Sequence, residues 1–271
     1  MSSHPVTSFA DQFRDYRERG GDPSLPVLIG GAALQLWVMA LGGATDNALY
    51  QTDDVDIVLS SQDEMEAFRV YFHGRLILPG IDHATPEIGR IEVGPPHTLS
   101  IDILAAPFGL KREHVQRHAV VMHLETSDGD HVGARLIHPA HALVGLVENF
   151  LHLPAKRDQW TLDRIQGLFP VVRRYTIETS RHPGHRRAAR WVAQTLYRFC
   201  SSRDGVTFHS DTGIDLLGAI PGPAEADLGE MFRNRQEPKL QEHVARRRRG
   251  RQRLLQATQP KKNKSEDGEE R

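Results

Sequence analysis

The chain has one cysteine, Cys200, so no internal disulfide can form, a composition suited to a reducing compartment. Aromatic residues are scarce at 7%. No apolar run approaches the ~20 residues that a bilayer-spanning helix needs. Net charge is almost absent, at −1. These shortages exclude membrane-spanning helical, disulfide-rich secreted and fibrous classes. What is present is 271 residues, 39% hydrophobic and 25% charged, with a mean hydropathy of −0.46. That describes a soluble globular chain with room for one large domain or two smaller ones. Residues Met1 to Asp15 lack the basic-then-apolar order of a signal peptide, which predicts a cytoplasmic protein.

The near-neutral total hides a split. Residues 1–130 carry 9 basic and 19 acidic side chains, and residues 131–271 carry 25 basic and 16 acidic. Such asymmetry points to two segments with different work.

The local patterns divide the same way. Phe9, Phe13 and Tyr16 sit at helical spacing before Gly20-Gly21. Val27-Leu28-Ile29 reads as a buried strand entering a Gly30-Gly31 turn, with a helix predicted over Ala32–Leu41. Val55–Leu59 is a β-branched run interleaved with carboxylates. Ser61-Gln62-Asp63-Glu64 has capping-box spacing for a helix to about Phe72. Short strands are predicted at Arg75–Leu78, Arg90–Val93, Leu99–Leu104, Ala119–Glu125 and His131–Leu136. Beyond residue 137 helical patterns dominate: Ala140–His152, Trp160–Thr179, Arg186–Cys200 and Glu225–Leu255. In the third, Ala188, Val192, Leu196 and Phe199 form the apolar stripe. The expected architecture is an α/β (α+β) mixed-sheet domain over 1–137, a basic helical domain over 138–258 and a disordered tail over 259–271.

The acidic surplus is concentrated in Asp46, Asp53, Asp54, Asp56, Asp63, Glu64 and Glu66, with no Lys or Arg among them. Asp54 and Asp56, two apart on a strand, share a face. Like charges so placed destabilise a strand unless a cation lies between them, and hard oxygen donors suit Mg²⁺ or Mn²⁺. Asp102 stands alone inside the apolar run Leu99–Leu104, a costly place for a charge unless it faces a site. Gly30-Gly31 before a helix lets a ligand approach backbone N–H groups, and a helix N-terminus favours phosphate.

Gly30-Gly31 within Val27–Leu34, Thr52 before Asp54-Val55-Asp56, and the later Asp102 together resemble the nucleotidyltransferase superfamily of the DNA polymerase β-like fold. The Gly-Gly-x-Ala-Leu form is most similar to the AbiEii-type toxin branch and its bacterial relatives. The likeness covers roughly residues 25–137, and His138-Pro139 through Asp158 resembles the helix that opens the helical half in that branch. It implies Mg²⁺-dependent transfer of NMP from an NTP to a hydroxyl, with catalytic and metal roles at Asp54, Asp56 and Asp102. It further implies nucleotide-binding roles at Gly30, Gly31, Ala32, Thr52 and Lys156, ATP among the candidate nucleotides, and an antitoxin protein as partner. Three departures stand out. Tyr50 occupies a position where many members carry Arg, the Gly31–Asp54 spacer is long enough for an inserted loop around Gly42–Gln51, and the usual helical Lys has only Lys156 as a counterpart.

Several readings stay open on the residues alone. Gly30-Gly31 and Asp54-x-Asp56 also fit an ordinary turn beside a solvated acidic strand, or a degenerate member that binds nucleotide without turnover. Arg246–Arg249, Arg251 and Arg253, with Arg173, Arg174, Arg181, Arg186, Arg187 and Arg190, could track phosphates. That would suit an RNA or tRNA acceptor, or a non-enzymatic nucleic-acid-binding protein; a small molecule such as an aminoglycoside, or a protein hydroxyl, is an alternative acceptor. Trp160, Trp191 and Tyr197 lie at core spacing and read as packing. The fifteen histidines include His138-x-x-His141 and His182-x-x-His185, which lack accompanying cysteines and read poorly as zinc sites. Asp53 reads as a solvated neighbour, and Cys200 as a buried small hydrophobe.

Overall fold

The structure, a computed structural model, describes residues 5–22, 26–42, 52, 54–59, 61–80, 87–94 and 99–258. Asp46, Tyr50, Asp53, the expected insertion beyond Gly42 and the tail 259–271 lie outside the described residues.

Seven described strands form one mixed sheet in the order β3-β4-β5-β2-β1-β7-β6. These are β1 (Val27–Ile29), β2 (Val55–Val58), β3 (Arg75–Ile77), β4 (Glu87–Val93), β5 (Leu99–Leu104), β6 (Val120–Glu125) and β7 (His131–Leu136). At the centre, β1 runs antiparallel to β2, and β2 runs parallel to β5. Burial alternates along β5, with Leu99, Ile101 and Ile103 inward and Ser100, Asp102 and Leu104 on the other face. β1 is buried throughout, as its unbroken apolar run requires.

Helices α1 (Pro5–Glu18), α2 (Gly30–Trp37), α3 (Gln62–Tyr71) and α4 (Arg112–His118) accompany the sheet. Phe9, Phe13 and Tyr16 of α1 stack in sequence and meet Phe68 and Phe72. The expected capping box forms: Ser61 Oγ accepts from Glu64 N–H at 3.2 Å. Helix α2 starts two residues earlier than the Ala32 expectation. Gly30 takes φ +60°, which turns the chain from strand into helix without a loop. Its end widens into a π-helical turn at Val38–Gly42.

After β7 the chain is helical: α5 (Pro139–His152), α6 (Gln159–Arg181), α7 (Arg186–Ser201), α8 (Arg203–Thr212) and α9 (Glu237–Thr258). No described helix is long and apolar enough to cross a membrane. Three expectations are corrected here. The Glu225–Leu255 helix begins near Glu230 and becomes regular only at Glu237, after a wide turn at Phe232–Gln236. Helix α8 lies between the expected Arg186–Cys200 and Glu225–Leu255 helices, where no element was predicted. Here Ser202 caps the helix, and a side chain on Gly205 would strike the Phe199 carbonyl at 2.1 Å. On α7 the buried face is Ala189, Val192, Ala193, Leu196, Tyr197 and Cys200, one step round from the expected stripe, leaving Ala188 exposed.

One buried cluster includes side chains from both the sheet and the helical half. Trp37 ties them: its Nε1 donates to the Ile137 carbonyl at 2.8 Å, and its ring meets Tyr175 edge-on at 5.6 Å. Beside it lie His118, His138, His141 and Trp191, the His118 ring stacked on Trp191 at 3.9 Å. His138 Nδ1 caps α5 by accepting from Ala140 N–H, whereas His141 Nδ1 is buried with no hydrogen-bond partner.

Burial, reinforced by the neighbouring histidines, holds His138 well below its ordinary value and His141 at about 4. Both rings take up protons in the unfolded chain near pH 6.5 but resist them when folded. Stability therefore falls as pH drops from about 6.5 toward 4. His141→Phe should lose less melting temperature between pH 7 and 5 than the wild type. Parallel profiles for the two proteins would refute this role.

Candidate active site

A cleft of about 500 Å³ opens where the sheet meets α5 and α6. One wall is acidic. The parallel β2–β5 register sets Asp56 opposite Asp102, and Asp54 precedes the strand on the same side, also lining the cleft. The floor is the β1–α2 turn. A Cβ on Gly30 would fall 1.8 Å from Asp56 Oδ2, so only glycine admits this carboxylate so close to the backbone. Gly31 N–H donates to Asp56. Thr52 stands over Gly31, and its hydroxyl donates to Asp54 Oδ1.

This crowding has an electrostatic signature. Burial first, then repulsion from Asp54 and Asp102, raises Asp56 to about 7. The Gly31 N–H and Lys156 oppose the rise only in part. Lys156, on the short turn Pro154–Lys156 after α5, is exposed at the cleft margin.

Asp102 is not the solitary charge expected from its strand. Arg90, its cross-strand neighbour on β4, grips both oxygens, with Nε–Oδ1 at 2.5 Å and Nη2–Oδ2 at 3.1 Å. That pair sets a positive charge directly against Asp102 beside an acidic cleft. Its signal in the sequence was alternation on β4, but the strand pairing that aligns Arg90 with Asp102 is not a local property.

The opposite wall is helical. Ala142, Gly145, Leu146 and Asn149 of α5 line it, together with Trp160, Thr161 and Arg164 of α6. Trp160 was expected to pack. It is instead 42% exposed, with the Arg164 guanidinium 4.4 Å from its ring centroid. The chain thus leaves an aromatic face open beside the cleft.

The sequence-named residues Gly30, Gly31, Thr52, Asp54, Asp56, Asp102 and Lys156 all line this one cleft; Ala32 is buried in the first turn of α2. The carboxylates Asp54, Asp56 and Asp102 line one cleft and offer the hard oxygen donors that suit a divalent cation.

The arginines named as a phosphate-tracking surface are largely committed elsewhere. Arg173 pairs with Glu225, Arg174 with Glu178, Arg186 with Asp227 and Arg248 with Asp215, while Arg190 donates to the Leu228 carbonyl. These pairs tie the named arginines into the fold, and the second half keeps its excess of 25 basic over 16 acidic side chains.

No protein-family model matches the chain, and no curated protein sequence matches it. Among solved structures the chain is similar to an antigenic nucleotidyltransferase-like protein from Paracoccidioides brasiliensis, at 14% identity over 83% of this chain and 98% of that one, with a TM-score of 0.48. It is similar to the antibiotic-resistance factor ANT(2'')-Ia at 16% identity, over 60% of this chain and 81% of that one, TM-score 0.37. It is also similar to the Megavirus polyadenylate synthase at 12% identity, over 80% of this chain and 44% of that one, TM-score 0.37.

Because Asp56 is raised above its unfolded value, its contribution to stability is present below about pH 4 and is lost as pH climbs through 7. In chelator, Asp56→Asn should therefore melt a few degrees above the wild type at pH 8, and the gain should vanish by pH 4. A variant that melts lower than the wild type at pH 8 would contradict the crowding.

Proposed function

We propose that the chain is a nucleotidyltransferase that moves NMP from an NTP to a hydroxyl acceptor. The observation that carries this reading is the cleft itself. Three carboxylates, a glycine-pair helix start, a lysine and an open aromatic face line one cavity, whose volume lies within the roughly 300–1,000 Å³ of small-molecule sites.

In this reading Asp54 and Asp56 hold Mg²⁺ or Mn²⁺, with Asp102 beside them. The bound ions would supply positive charge for the phosphate oxygens and the leaving group. Backbone N–H groups at Gly30, Gly31 and Ala32 face the β- and γ-phosphates at the positive end of α2. Gly31 N–H would release Asp56 to do so. Lys156 adds charge at the cleft margin. Thr52 acts indirectly, since its hydroxyl orients Asp54.

The acceptor oxygen attacks the α-phosphorus, the bond to the bridging oxygen breaks, and pyrophosphate leaves. Asp102 takes the hydroxyl proton, with Arg90 fixing the carboxylate's orientation. Trp160, backed by Arg164, offers a stacking face to the base and reads no base edge.

An RNA or tRNA acceptor rests on the basic balance of residues 131–271, which the ion pairs within that half leave unchanged. The AbiEii-type branch, with its toxin role and antitoxin partner, rests on the Gly30–Leu34 element and on the likeness of the His138–Asp158 stretch.

The test incubates the protein with each α-labelled NTP, Mg²⁺, and either total RNA or a panel of aminoglycosides. Label should enter one acceptor class, and Asp54→Asn should reduce the rate by about 10²–10³ or more. Equal transfer by Asp54→Asn, or no transfer with any combination, would overturn the assignment.

A further inference from the structure

Helix α5 also carries a polar pair that is not part of the cleft lining. Glu148 and His152 are four residues apart and so lie on one side of the helix. The first turn of α8 brings Asp204 to them. His152 Nε2 is 3.1 Å from Glu148 Oε2 and 3.8 Å from Asp204 Oδ2, and one donor atom from each of the three residues lies within 4.8 Å of the others.

The three are unequally exposed. The Glu148 side chain is only 8% exposed, whereas His152 and Asp204 are 45% and 40% exposed. The cluster is thus a shallow well with a buried carboxylate at its base. The loop after β5 closes that base: Gly109, at φ +68°, lies so near that a Cβ would sit 2.4 Å from the Glu148 carboxyl carbon.

A carboxylate this deep ordinarily has an Arg or Lys partner. Among the described residues the ion pairs of Glu148 and Asp204 are those with His152 alone. Burial disfavours the charged form of Glu148, and repulsion from Asp204 adds to this. A protonated imidazole would offset one of the two negative charges; a divalent cation would offset both.

We infer that Glu148, His152 and Asp204 form a binding site for a first-row transition-metal dication, with Zn²⁺ the best fit. One imidazole nitrogen and two carboxylate oxygens are a borderline donor set that favours Zn²⁺ or Co²⁺ over Mg²⁺. Three protein ligands leave room for a solvent molecule. The site clips α5 to α8, next to the edge-to-face contact of Phe150 and Phe208 at 5.7 Å. Since Gly145, Leu146 and Asn149 of α5 line the cleft, an occupied clip would also steady that wall. The inference does not depend on the transfer reaction.

The experiment uses the full chain without a histidine tag, stripped with chelator and carrying Asp56→Asn to weaken the cleft as a competing site. Co²⁺ is titrated while its visible absorption is followed, and melting is measured with and without Zn²⁺. One Co²⁺ should bind with a d–d band, and Zn²⁺ at about 100 times its Kd should raise Tm by roughly 5 °C. Adding His152→Ala should abolish the band, and adding Asp204→Asn should weaken binding at least tenfold, with both variants melting near the parent in chelator. A band of equal strength and midpoint in the His152→Ala protein, or no Co²⁺ binding by the parent, would overturn the inference. If His152→Ala fails to fold, the Asp204→Asn titration decides, and unchanged affinity there refutes the site.

Discussion

Mutual repulsion among Asp54, Asp56 and Asp102 is the constraint around which the cleft is built. The parallel register of β2 and β5 forces Asp56 and Asp102 to be neighbours, and the chain answers that cost piece by piece. Gly30 gives up a side chain so that Asp56 can lie against the backbone, and Gly31 donates an N–H to it. Thr52 holds Asp54, and Arg90 holds Asp102. Lys156 adds a more distant positive charge. Local groups therefore satisfy Asp102 best and Asp56 least, which places the unmet negative charge at the centre of the cleft, beside the start of α2.

The second half of the chain completes the cavity. Trp37 anchors it through the Ile137 carbonyl and Tyr175, so α5 and α6 stand over the carboxylate wall. Helix α5 then serves two surroundings, with Gly145 and Asn149 toward the cleft and Glu148 and His152 toward α8. The charge split between the halves acquires a physical meaning. In the second half, pairs such as Arg173–Glu225 and Arg248–Asp215 hold helices and loops together and leave its basic excess in place, while the acidic excess at Asp54 and Asp56 has little to neutralise it locally.

The parts of this arrangement that rest on short-range pattern were legible in the sequence. The Gly30-Gly31 turn, the Asp54–Asp56 spacing, the lone Asp102 and the Ser61 cap each declare themselves within a few residues. The seven strands follow from apolar runs, alternation and turn chemistry for the same reason. What escaped depends on distant neighbours. Arg90 matters because β4 pairs with β5, and Trp160 is exposed because the cleft opens beside it. Glu148 and His152 gain Asp204 only through the packing of α8 against α5. On α7 the spacing of the apolar residues fixed a helix but left its rotation open by one position, and contact with α6, α8 and α9 settled it.

The most direct test of the account is a ¹³C NMR titration of the Asp56 carboxyl carbon, with and without Mg²⁺. In metal-free protein the group should titrate near 7, and saturating Mg²⁺ should lower its midpoint by more than about one unit, since a bound cation favours the anion. A midpoint near 4 that does not respond to Mg²⁺ would contradict the central claim that these carboxylates are crowded together for want of a cation.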